Sequence, residues 1–306
     1  MTILLNYLRV YVLTVDKWLL LFCSIWIGIL VTLNYQLGIE REMIAGLSSR
    51  YYQFAALTGL YCCAFVVPYW FVIARGVNQE VLTPAFWCLL MLAPLLFALK
   101  VSIANPLENL VAGVWGDYLT IVTTLPFKLL VVLIPLLVLA MRLPVQQGIW
   151  GMTWKGVQWR PYILMLGLML PLIVFASTQS DFLNTYPRLK QVDFILPHTD
   201  HSIPILLLYE ISYGLDFVTI ELFFRGFLIF AFVRYVGAAA ILPMATFYCS
   251  IHFGKPMFEC VSSFFGGLIL GVIAYRTQSI VGGLAVHLGV AWMMEIGGYF
   301  GNLALR

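Results

Sequence analysis

Glu221 and Arg225 stand four residues apart in Ile220-Glu-Leu-Phe-Phe-Arg-Gly226, a stretch that is otherwise apolar and stays apolar beyond it. Placing either ion in a bilayer interior costs a few kcal/mol, so a carboxylate there marks a site of function by default. On a helix this spacing turns the two side chains about 40° apart, onto one face, where each lowers the other's burial cost. Two histidines follow on later apolar segments, His252 and His287, and the remaining acids near membrane depth are Glu210, Asp216, Glu259 and Glu295. A carboxylate and two histidines on three successive helices are the parts needed to activate a water and stabilise an oxyanion. They could also ligate a metal, but no His-Glu-X-X-His pair occurs, and two helical histidines are a thin supply for zinc. The plainest reading of Glu221 with Arg225 is a buried ion pair that sets helix register.

The elements that must hold these residues are membrane helices. Hydrophobic residues make up 62% of the chain and charged residues 10%, against about 25% charged in globular proteins. The mean hydropathy is +0.95. A span needs about 20 apolar residues, and stretches near 18–35, 54–74, 84–99, 121–141 and 162–176 qualify. From about 203 onward, the segments 203–224, 227–250, 257–275 and 280–300 follow one another with very short breaks. The expected fold class is therefore all-α, a polytopic membrane bundle of about 8 to 9 transmembrane helices. It divides into a support half, 1–176, a connecting loop, 177–202, and a reactive core, 203–306. Residues 1–15 lack a short basic region and a small-residue cleavage site, so the first span is expected to be retained.

Between the halves, the loop carries Asp181, Arg188, Lys190, Asp193, His198, Asp200 and His201 and reads as solvated, a linker or a lid. Its two histidines read as exposed loop residues. Residues 100–117 look interfacial or re-entrant, and 142–161, with Lys155, Arg160 and three tryptophans, resembles a membrane boundary. The net charge of +3 is scattered, with no basic stripe, which argues against nucleic acid as a partner. The six cysteines fall mostly in apolar runs without metal or disulfide spacing. Lysine and arginine counts in alternate loops do not set an orientation. Small residues at Gly266-Gly-Leu-Ile-Leu-Gly271 and Gly282-Gly283 permit close helix packing beside the reactive residues. The break His252-Phe-Gly-Lys-Pro256 ends the helix before it.

In their order, these segments resemble the CPBP intramembrane endopeptidases, the family of CAAX proteases, bacteriocin-processing proteins, type II prenyl endopeptidases and Abi proteins. The resemblance covers roughly 205–300. The family's Glu-Glu-X-X-X-Arg motif aligns with Ile220-Glu221-Leu-Phe-Phe-Arg225. Its aromatic residue four before a histidine aligns with Tyr248-Cys-Ser-Ile-His252, tyrosine standing for the usual phenylalanine. Its His-X-X-X-Asn/Asp motif aligns with His287-Leu-Gly-Val-Ala291. Two positions depart: Ile220 replaces the first glutamate, the family's usual base, and Ala291 replaces the residue that assists the oxyanion site. Glu221 with Glu259 after Gly-Lys-Pro resembles a subgroup with a single glutamate before Phe-Phe-Arg-Gly.

The resemblance implies a glutamate-type endopeptidase, a hydrolase without metal or other cofactor, that cuts a peptide or protein substrate at the membrane. Glu221 would deprotonate a water with help from His252, and His287 would hydrogen-bond the oxyanion. Arg225 would pair with a carboxylate, and Glu259 would orient His252 or serve as the second carboxylate, a role also open to Asp216. Its partners are that substrate and the lipid bilayer, and its place is a multi-pass position in a bacterial inner (plasma) membrane. Two other classes stay open: a catalytically inactive homologue acting as an immunity or scaffold protein, and a transporter, for which the expected paired broken helices are not evident.

Overall fold

The computed structural model describes residues 2–77, 79–108, 110–143, 148–155 and 157–304. Positions 144–147 and 156 of the expected boundary 142–161, and Asn109 of the segment 100–117, lie outside the described residues. Among the described residues every regular element is helical, and eight helices are long and apolar enough to cross a bilayer. The protein is thus an integral, multi-pass membrane protein. A first helix, α1 (Thr2–Thr14), precedes five spans: α2 (Lys17–Leu37), α3 (Arg50–Ala74), α4 (Pro84–Ser102), α5 (Val114–Arg142) and α6 (Trp159–Ala176). Asp16 starts α2 by accepting hydrogen bonds from the backbone N–H groups of Trp18 and Leu19, and Gly38 ends it in the left-handed conformation.

The expected pair of spans 203–224 and 227–250 takes a different form. α8 (Ser202–Glu221) runs into a widened π-helical turn, Leu222–Phe227, and then a short turn, α9 (Leu228–Phe230). The chain passes through α10 (Val233–Val236) and a 3-10 turn, Gly237–Ala240, into α11 (Ile241–Ser250). α11 has only 10 residues, all of them buried. That is about 15 Å, half the hydrocarbon core. Hydropathy reads a protein-buried residue and a lipid-facing one alike, which is why 227–250 looked like a single span. Such broken backbone survives at membrane depth only where protein surrounds it. Two full spans close the chain, α12 (Met257–Thr277) and α13 (Val281–Ala304).

An aromatic wall joins the first half of the chain to the second. Phe97 of α4 lies 5.1 Å from both Phe223 and Phe224 in the π turn, and Phe247 of α11 lies 5.2 Å from Phe224 and 5.3 Å from Phe65 of α3. Ring pairs of this kind add about 0.5–1.5 kcal/mol each beyond their area. One continuous core therefore contains residues from both sides of 177–202. That segment is not a solvated loop. It folds into α7 (Ser180–Thr185) and a 3-10 helix, Arg188–His198, with Val192 and Ile195 fully buried. Glu295 of α13 caps the 3-10 helix, accepting from Arg188 N at 2.8 Å and Leu189 N at 3.0 Å. His198 and His201 are exposed.

Residues 100–117 also depart from a purely interfacial segment. Lys100 is buried near the end of α4 and pairs with Asp216 of α8, Nζ to Oδ1 at 2.6 Å. Asn105 is buried and donates to the Thr120 carbonyl and to the hydroxyls of Thr123 and Thr124, which ties the turn to α5. Removing one partner of a buried pair strands the other charge. Asp216→Ala should therefore lower stability in detergent by about 3 kcal/mol, measured by denaturant unfolding. The double variant Asp216→Ala, Lys100→Met should recover most of that loss.

Candidate active site

Glu221 closes α8 with no solvent exposure, and the π turn that follows aims the next residues differently from a regular helix. Its neighbour Ile220 points into the aromatic core. Glu221 Oε1 accepts from His287 Nδ1 of α13 at 3.0 Å and lies 3.1 Å from Arg225 Nη1. The Arg225 contact is an ion pair by distance, without hydrogen-bond alignment. The Arg225 guanidinium instead stacks over the Tyr248 ring, 3.9 Å from its centroid, where the negative face of the π system meets the cation. Glu221 Oε2 has no partner. A Cβ built on Gly283 would lie 3.0 Å from it, so glycine lets α13 pack closely against that oxygen.

Tyr248 sits at the centre of the cluster. Its hydroxyl is 3.2 Å from His287 Nε2, and its ring meets His252 edge-on at 4.7 Å. Because Nδ1 of His287 donates to a carboxylate, a neutral His287 leaves Nε2 as acceptor for the tyrosine hydroxyl. The result is a chain of hydroxyl, imidazole and carboxylate: Tyr248, His287, Glu221. Gly267 of α12 makes room for the tyrosine, since a Cβ there would approach its ring to 2.9 Å. Phe217 packs on the other side of His287, at 4.7 Å.

His252 lies in the break between α11 and α12. Its Nδ1 is 2.9 Å from the Tyr248 carbonyl. A carbonyl only accepts, so Nδ1 carries the hydrogen, and in the neutral ring Nε2 keeps a free lone pair. Burial pushes this imidazole down to about 4, against the opposing pull of Glu259. His252 is therefore neutral at pH 7, a proton acceptor rather than a cation.

Five residues singled out from sequence fall into two groups. Glu221, Arg225 and His287 meet directly, and His252 joins them through Tyr248. Glu259 belongs to a neighbouring cluster: it is 3.3 Å from Lys255 Nζ and accepts from the Tyr186 hydroxyl at 3.1 Å. With His252 Nδ1 engaged by a carbonyl, Glu259 does not hold that nitrogen. Asp216 is engaged by Lys100, and Ala291 is buried one turn beyond His287. Sequence reasoning missed Tyr248 and Tyr186 as polar contributors. The signal for Tyr248 was its hydroxyl at a position where phenylalanine is usual.

Residues 202–293 match the family model described as type II CAAX prenyl endopeptidase Rce1-like. This bears out, over the C-terminal third of the chain, the resemblance carried by the three motifs. No curated protein and no solved structure matches the chain.

The tautomers can be checked directly, because the protein has only four histidines. In a nitrogen-15 histidine-labelled sample, His252 should hold the neutral, Nδ1-protonated signature from pH 8 down to 5 and titrate only near 4. A folded-state value below the ordinary one, about 6.5, means the unfolded chain binds more protons between the two values. Stability from this group is therefore complete above about 6.5 and declines on acidification towards 4. Titration of His252 near 6.5 in the folded protein would contradict the assignment.

Proposed function

We propose that this chain, whose residues 202–293 carry the Rce1-like match, is an intramembrane endopeptidase that hydrolyses a peptide bond of a protein or peptide substrate in a bacterial inner (plasma) membrane. The observation that carries this reading is the divided use of one buried carboxylate. Oε1 of Glu221 is fixed by His287 and Arg225, while Oε2 has no partner among the protein groups and packs against Gly283. A purely structural ion pair gains nothing from a buried, unsatisfied oxygen, which costs about 1–3 kcal/mol.

In this mechanism Glu221 Oε2 takes a proton from water as the water oxygen attacks the scissile carbonyl carbon. His252 Nε2 accepts the second water hydrogen as a hydrogen bond and orients the lone pair for attack. The carbonyl π electrons move to oxygen, and the Tyr248 hydroxyl turns its hydrogen from His287 Nε2 to the oxyanion, while His287 keeps hold of Glu221 through Nδ1. Collapse of that tetrahedral species breaks the C–N bond, and protonated Glu221 returns its proton to the leaving amine. One water is consumed, and one carboxylate and one amine result. Donors of this type are worth about 2.7–4 kcal/mol each in acyl transfer, and a positioned base about 100- to 10,000-fold. Tyr248 thereby supplies, from α11, a polar group on the side of His287 where Ala291 offers none. Glu259, held by Lys255 and Tyr186, supports the break that carries His252.

A second reading has its own observation. Ile220 is packed into the core and Ala291 is apolar and buried, which suits a noncatalytic family homologue acting as an immunity or scaffold protein. Activity separates the two. Purified protein in vesicles should cleave a peptide substrate, with kcat reduced by about 1,000-fold in Glu221→Gln and about 100-fold in His252→Ala. Tyr248→Phe should lower kcat about 100-fold with KM nearly unchanged. All three variants should keep the wild-type helical circular dichroism, and a chelator should leave the rate unaltered. Equal cleavage by wild type and Glu221→Gln would rule out the mechanism, and inhibition by the chelator would point to a metal site instead.

A further inference from the structure

The break between α11 and α12 that carries His252 is held from the other half of the chain. Asn34 of α2 donates through Nδ2 to the Phe253 carbonyl at 3.0 Å, Arg41 donates through Nε to the Gly254 carbonyl at 3.2 Å, and the Tyr35 hydroxyl donates to the Lys255 carbonyl at 2.6 Å. Three successive carbonyls thus go to one short segment, 34–41. No backbone N–H among the described residues donates to them, and Pro256, next in the chain, has none to offer. Carbonyls left unpaired away from water are costly, so side chains must meet them. Asn34 is buried, and its Oδ1 accepts from the Glu40 N–H at 3.1 Å, which sets the orientation of the amide and leaves Nδ2 to donate. The π-helical turn that follows α2, Ile39–Ile44, closes on the break at Gly254, where a Cβ would run into the Glu40 carboxylate.

These bonds are not what closes the turn. The Lys255 N–H donates to the His252 carbonyl at 2.9 Å, the Cys260 N–H donates to the Pro256 carbonyl at 3.0 Å as α12 begins, and the Lys255 side chain is tied to Glu259 and to the Tyr186 hydroxyl. Such contacts give the break its shape, whereas the bonds to 34–41 fix its place against α2. Leu19, Cys23 and Ile27 of α2 share one buried cluster with Leu242, Ala245, Cys249 and Phe253, so α2 is a firm support for α11 and the break together. The contacts of the His252 ring, with the Tyr248 carbonyl and the Tyr248 ring, come from its own helix. The imidazole therefore moves with the backbone that bears it.

We propose that Asn34 and Tyr35, with Arg41 at the surface beside them, are positioning residues for His252, holding the break so that the imidazole keeps its place relative to Glu221. The inference rests on the endopeptidase reading, because it assigns these residues an effect on the rate through His252. None of the three touches the reacting atoms. Their influence passes through the backbone of Phe253 to Lys255, directly after the histidine. A reacting group misplaced by about 1 Å costs about 100-fold in rate, so a clamp that limits drift of the break is worth a measurable part of the His252 contribution. The N-terminal half then serves catalysis as well as packing.

The test reads position and rate separately. Tyr35→Phe removes one hydroxyl, and Asn34→Leu fills the volume of the amide without its donor. In nitrogen-15 histidine-labelled full-length protein, exchange of the His252 Nδ1 hydrogen with deuterium oxide should be about tenfold faster in the double variant, while that of His287, which reports on α13, stays as in the wild type. With a leucine- and alanine-rich membrane peptide as probe, kcat should fall about tenfold and KM should stay within about twofold. Tyr35→Phe alone should move both readings about threefold in the same direction. Wild-type exchange at His252, selective exchange with an unchanged kcat, or faster exchange at both histidines with a raised KM each overturns the proposal. Exchange that quickens at His252 alone, in a protein whose wild type leaves the peptide whole, would keep the clamp on His252 and remove the endopeptidase reading. Cleavage that Glu221→Gln abolishes, and that the double variant leaves unaltered along with its exchange, would do the reverse.

Discussion

A carboxylate with no access to water must be met by donors or positive charge, because the desolvation of an unpaired ion exceeds what packing can return. Glu221 is such a group, and the arrangement of the C-terminal helices follows from meeting its needs. His287 reaches its Oε1 from α13, Arg225 reaches it from the next turn of its own chain, and Arg225 is in turn flattened on the Tyr248 ring of α11. Three elements are thereby fixed to one oxygen atom. The second oxygen is left without a partner among the protein groups, and the proposed base rests on that asymmetry.

The surrounding apolar structure makes this geometry possible. The π turn directly after Glu221 is a widened helix of the kind often found at functional positions. Phe97 and Phe247 press against Phe223 and Phe224 from α4 and α11, and Phe65 of α3 backs Phe247, which holds that turn in place. Gly226 lets it approach Trp150, whose carbonyl oxygen would lie 2.7 Å from an added Cβ. Small residues thus set distances around the site, at Gly226, Gly267 and Gly283, while aromatic residues set rigidity. A buried core contributed by the N-terminal helices is what allows α11 to be only ten residues long.

Much of this was legible from residue types alone. Composition and the spacing of apolar runs gave the helical membrane class and located the spans from α2 to α6 and the last two. The charge pair 221/225 and the ordered histidines pointed to side chains that the fold brings into one cluster. Four features were hidden for definite physical reasons. Hydropathy could not separate the fully buried α11 from a lipid-facing span. Polarity suggested that 177–202 was solvated, although Val192, Ile195 and the Glu295 cap hold it against α8 and α13. Periodicity on a regular helix could not foresee the π turn, and so could not tell that Ile220 faces the core while Glu221 faces His287. Tyr248 differed from the expected phenylalanine by one hydroxyl, whose partner is 39 residues away in sequence.

The site is therefore polar on a small scale and apolar on a large one: a single working oxygen, a neutral histidine, and a tyrosine-backed imidazole inside aromatic walls. The central claim is that Glu221 acts on water rather than attacking the peptide itself. A single turnover in oxygen-18 water, with enzyme in excess over substrate, tests it most directly. The account predicts that the new carboxylate of the product carries one oxygen-18 from that first turnover and that the Glu221 peptide remains unlabelled by mass spectrometry. Unlabelled product together with oxygen-18 in the Glu221 side chain would show a covalent route through the carboxylate and contradict it.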